Sequence, residues 1–74
     1  MHPADFFAMI LDQAKIMLRS NLDSKITSEK HREILDWSKT YYTATAQLFG
    51  IDISEFTADN FAIAVGLVIA SRLE

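Results

Sequence analysis

The side chains best suited to chemistry lie in one short run, Glu29, His31, Glu33 and Asp36, which places three acids and an imidazole within eight residues. Such residue types bind metals or trade protons when they converge on one point. On a helix each side chain advances about 100°, so Glu29, Glu33 and Asp36 share an exposed face while His31 points elsewhere. An i, i+4 pair of carboxylates without a third ligand describes a solvated surface, and His31 reads as a boundary residue beside the core. Cysteine is absent, and two histidines, His2 and His31, cannot build a His-only zinc site within one chain. No glycine-rich phosphate loop and no Ser-His-acid arrangement stands out. The sequence therefore predicts no catalytic residue, no metal and no cofactor, and a protein that is not an enzyme.

A second constellation is Ala46, Gly50 and Ile51, a small residue, a turn glycine and an apolar residue spaced as in a helix-turn-helix. A recognition helix needs donors for phosphates and base edges. The positions that follow the turn offer Asp52, Ser54, Glu55, Thr57 and Asp59, and the nearest cation on that helix is Arg72 at its far end. A small helix-turn-helix-like nucleic-acid-binding regulator is the alternative reading, and the charge argues against it. The basic cluster Lys25, Lys30 and Arg32 is flanked by Asp23, Glu29 and Glu33, which cancels most of its field.

The third constellation is aromatic. Trp37 and Tyr41 are i, i+4 neighbours, and with Tyr42 they form either core packing or a possible groove for a ligand or peptide between the first two helices.

Three helices must position these residues. Pro3 and Asp5 suit the first turn of a helix running to about Asn21, with Phe6, Phe7, Ile10, Leu11, Ala14, Met17 and Leu18 on its apolar face. Met9 and Ile16 fall outside that face and mark either ordinary exposed residues or a second contact. Residues 21–26 favour a turn. Thr27 or Ser28 caps a second helix, Ile26 staples its entry, and Gly50 ends it after Phe49. Its broad face holds Ile34, Leu35, Trp37, Tyr41, Tyr42, Ala44, Thr45, Leu48 and Phe49. Ile51, Ile53 and Phe56 lie against the core, with one helical turn expected at Asp52 to Phe56. Asp52, Glu55 and Asp59 gather near the start of the third helix, which Thr57 caps and which runs to about Arg72.

That third helix contains the most apolar stretch of the chain, Phe61 to Ala70, and is greasy over more than half its circumference. Ala58, Ala62, Gly66 and Ala70 recur every four residues as a smooth strip. Flanked by Val65 and Ile69, they form the expected interface of a homodimer or higher symmetric oligomer. Leu11, Ile34, Leu48 and Leu67 are the expected core residues.

Length and composition bound the rest. Seventy-four residues make one domain, 1–74, with the final Leu73-Glu74 resembling a cloning scar. A single core of this size is marginal, and without cysteine or metal the stability must come from helix packing or association. Ten acids against seven bases give a net charge of −3, and half the residues are hydrophobic, too many for a disordered chain. No secretory signal is visible, and the ten-residue apolar run falls short of the ~20 residues that span a bilayer. The sequence thus predicts an all-α three-helix bundle (helices about 3–21, 28–49 and 57–72) completed by dimerisation. Its expected role is that of a cytoplasmic protein-protein interaction module with a second copy or another protein as partner, and without nucleic acid.

Overall fold

The computed structural model describes residues 1–21 and 26–73. It is an all-α three-helix bundle, with α1 at Pro3–Asn21, α2 at Ser28–Leu48 and α3 at Ala58–Leu73. No strand occurs among the described residues. Residues 22–25, where the first connection is expected, and Glu74 lie outside them.

Local chemistry sets the helix ends. The His2 carbonyl accepts from the Phe6 amide and its Nδ1 accepts from the Ala4 amide at 3.2 Å, so His2 closes the start of α1 just before Pro3. Thr27 caps α2, its Oγ1 accepting from the Lys30 amide at 3.1 Å, and Thr57 caps α3 by accepting from the Asn60 amide at 3.3 Å. Each such cap is worth about 1 kcal/mol. At the end of α2 the Ile51 amide donates to the Ala46 carbonyl and the Gly50 amide to the Gln47 carbonyl. This is the Schellman pairing, which requires the residue after the cap to take positive φ, and Gly50 sits at φ 66°. Phe49 is therefore the cap of α2 and not its last helical residue. Residues 54–56 form a bend in place of the helical turn expected there.

The molecule measures 36 × 19 × 17 Å, the shape of helices lying side by side along one axis. Lys39 meets Asp59, and Gly66 faces His31 and Leu35, so α2 and α3 run antiparallel. Phe7 lies against both Phe56 and Phe61, which puts the start of α1 beside the start of α3. The third helix packs against both others, more extensively against α2, and so occupies the centre.

The core is Phe6, Ile10, Ala14 and Leu18 of α1, Tyr42 and Ala46 of α2, and Phe61, Val65 and Ile69 of α3. Within each helix these recur mainly at four-residue intervals, and each large apolar side chain buried contributes about 1.5–3 kcal/mol. None of the four expected core residues is among them. Leu48 is 80% exposed and Leu67 is 67% exposed, while Leu11 and Ile34 are half-buried against the cluster. Leu48 fails because the inward row of α2 is Ser38, Tyr42 and Ala46, rotated away from Leu48. Leu67 fails because Val65 and Ile69 take the inward positions of α3. Met17 and Phe49 are likewise exposed, whereas Met9 packs against the core and Ile16 lies on the surface.

Buried Ser38 escaped the sequence reading because its type suggests solvent. Its hydroxyl donates to the Leu35 carbonyl at 2.7 Å, which satisfies it inside the helix and leaves a side chain small enough for close packing.

Candidate functional site

The aromatic constellation divides in two. Tyr42 lies at the centre of the core, in ring contact with Phe6 and Phe7 as well as Phe61, and its hydroxyl donates to the Phe56 carbonyl at 2.8 Å. It is not a groove residue. It ties the α2–α3 connection to the middle of α2, and burial between rings pushes its hydroxyl pKa up. Trp37 and Tyr41 remain at the surface edge, stacked with centroids 5.5 Å apart and planes 18° from parallel. The Tyr41 hydroxyl donates to Gln13 Oε1 at 3.2 Å, bridging α2 to α1. The pair forms a ridge on α2 tied to α1 by that bond, with the Trp37 ring partly open to solvent.

The small-residue strip also divides. Gly66 faces α2, where a Cβ on it would lie 3.6 Å from Leu35 Cδ2 and 3.9 Å from His31 Nε2. Ala62 is buried and Ala58 half-buried, so this part of the strip is used within the chain, against α2. Val65 and Ile69, expected at an intermolecular interface, are fully enclosed by the chain's own core and offer no surface to a partner. Their positions on α3 point between α1 and α2, the two helices that must cover it. Ala70 alone of the expected interface residues is exposed. The outward face of α3 belongs instead to Ile63, 62% exposed, and Leu67 one turn further on. Leu67 was expected in the core instead. A helix apolar all round carries no signal for which of its large residues faces out.

The acids and imidazole of α2 do not converge. Glu33 pairs with Lys30 at 3.6 Å on the surface, while Glu29 and Asp36 are exposed. His31 is half-buried at the contact with α3, its Nε2 out of reach of solvent and without a hydrogen-bond partner among the described residues. Among those residues no three His, Asp or Glu side chains gather as metal ligands would. No helix among them is long and apolar enough to cross a membrane.

The helix-turn-helix residues each serve the fold. Ala46 is buried, Gly50 makes the Schellman turn and Ile51 packs on the core. The connection from Phe49 to Thr57 is longer than the three or four residues of that motif's turn. It presents Asp52 and Glu55 to solvent. Lys39 reaches across to Asp59 at 3.0 Å, and the hydrogen bond and charge of that carboxylate hold the Lys39 pKa above its ordinary value. Beside this pair an open trough runs along Thr40, Thr43, Ala44 and Gln47 to Ala58. Its lining has no acid-base pair and no nucleophile activated by a base. Compared with protein-family models, with characterised proteins and with solved structures, the chain matches none.

Proposed function

We propose that this protein is a small helical protein-protein interaction module that pairs with a second copy of itself through the outward face of α3. The observation that carries the reading is the exposure of Ile63 and Leu67, four residues apart on the most apolar of the three helices. Ala70 extends the face by a further turn without bulk, which favours close approach of a second helix. The original strip supports this less directly, since Ala58, Ala62 and Gly66 serve contacts inside the chain. An isologous pairing of two α3 helices uses each exposed side chain twice, once on each protomer. The drive in water is the removal of Ile63 and Leu67 from solvent, at ~25 cal/mol per Å² before the cost of association.

Light scattering coupled to size exclusion tests the reading. The wild-type chain of 8.4 kDa is expected at about twice its mass. Leu67→Glu is expected to be monomeric with its helical content intact, because the side chain already lies mostly outside the core. A wild-type chain that stays monomeric at high micromolar concentration overturns it.

A further inference from the structure

The charge of the chain is unevenly spread. Residues 1–14 and 40–71 contain no lysine or arginine, yet they carry Asp5, Asp12, Asp52, Glu55 and Asp59. The fold gathers four of these acids at one end of the bundle. Asp5 stands in the first turn of α1, next to Phe6, whose ring lies 6.5 Å from that of Phe49 at the end of α2. Asp52 and Glu55 follow in the connection, and Asp59 sits in the first turn of α3. Lys39 answers Asp59. Among the described residues no ion pair engages Asp5, Asp52 or Glu55, and all three are exposed.

Two large apolar side chains share this end. Leu48 and Phe49 close α2 and are the last large residues before the Schellman turn, yet both stand mostly in water, Phe49 at 63%. We infer that this end of the bundle docks a basic amphipathic segment of another protein, whose apolar side chains cover Leu48 and Phe49 while its lysines or arginines meet Asp5, Asp52 and Glu55. The apolar pair supplies the contact that excludes water, and the carboxylates select the sign of the partner. An acidic segment or a nucleic-acid backbone is repelled by the same three groups. A wholly apolar segment would strip water from carboxylates without replacing it. The surface is separate from Ile63 and Leu67, so it stands or falls independently of self-pairing through α3.

The test uses the full chain, isotope-labelled and followed by amide chemical shifts. It is titrated with a synthetic amphipathic helix of leucine and lysine about five turns long, and with the same peptide carrying glutamate for every lysine. Shifts are expected to centre on Leu48 to Glu55 and on Asp5, with the lysine peptide only. Leu48→Gln should weaken binding about tenfold without unfolding the chain, since little of that side chain is buried. The double change Asp52→Asn with Glu55→Gln should weaken it and flatten its dependence on salt. The inference is overturned by no binding at high micromolar peptide, by shifts centred elsewhere, by equal binding of the glutamate peptide, or by an unchanged affinity for Leu48→Gln. Broadening of these same amides with protein concentration alone would assign the end to a second copy's basic residues, which also overturns it.

Discussion

The rings of Tyr42 and Phe61 lie face to face, with centroids 4.5 Å apart and planes 10° from parallel. The stack joins α2 to α3 where Phe6 and Phe7 of α1 close over it, so all three helices meet at one tyrosine. Its hydroxyl holds the Phe56 carbonyl. Tyr42→Phe keeps the ring contacts and removes only that donor, at an expected cost of about 1 kcal/mol. Tyr42→Ala empties the centre and should cost about 3–5 kcal/mol. Urea unfolding of the two variants separates the ring from the hydroxyl, and equal losses would show that the ring contacts carry little.

The same hydroxyl makes stability depend on alkaline pH. Its pKa is raised in the folded chain by burial, so the folded state holds the proton more tightly than the unfolded state. The resulting stability is complete below the ordinary tyrosine value of about 10 and is lost as pH rises from there through the folded value. Groups common to both chains cancel when wild type is compared with Tyr42→Phe. Thermal midpoints measured from neutral to strongly alkaline pH should fall more steeply for wild type. Parallel curves would mean that Tyr42 ionises as easily in the fold as outside it.

On α3, two large residues on opposite faces should respond to very different extents. Ile69 is enclosed by the core and Leu67, two positions earlier, faces water. Ile69→Ala is expected to cost about 2–5 kcal/mol. Leu67→Ala should change the stability of the protomer by no more than about 0.5 kcal/mol. Denaturation of both at low protein concentration, where association contributes least, is the measurement. A large loss for Leu67→Ala would mean that α3 turns Leu67 toward the core.

That contrast marks the boundary of what the sequence expresses. Helix number and ends were legible because Pro3, Thr27, Gly50 and Thr57 act locally, through one missing amide, two accepting hydroxyls and one positive φ. Helix rotation was not. On α2 the inward row includes Ser38 and Ala46, whose size and polarity hide their burial, while Trp37 and Leu48 draw a pattern-based face toward themselves. On α3 the apolar residues run all round, so Val65 and Ile69 could not be told from Ile63 and Leu67 by type. The three aromatics of the candidate groove were divided for a related reason. Tyr41 and Tyr42 are adjacent, which on a helix separates them by about 100°, and only one of them could stay at the edge.

The two glycines give the last prediction, because the same substitution should have opposite signs at the two sites. Gly50 holds φ 66°, a conformation that a Cβ disfavours even though nothing lies within 4 Å of where it would stand. Gly50→Ala should therefore cost about 1 kcal/mol by strain alone, and Gly50→Asn less. Gly66 has ordinary helical geometry, and its Cβ would meet Leu35 Cδ2 at 3.6 Å, an ordinary contact. Alanine there removes unfolded-state entropy and raises helix propensity, so Gly66→Ala should stabilise by about 0.5–1 kcal/mol. A longer side chain has no such room: Gly66→Leu would drive into Leu35 and His31 and should cost about 1–3 kcal/mol. Thermal unfolding of these variants checks the order Gly66→Ala above wild type, with Gly50→Ala and Gly66→Leu below and Gly50→Asn above Gly50→Ala. If Gly66→Leu instead left stability unchanged and altered only the mass in light scattering, Gly66 would face a partner rather than α2.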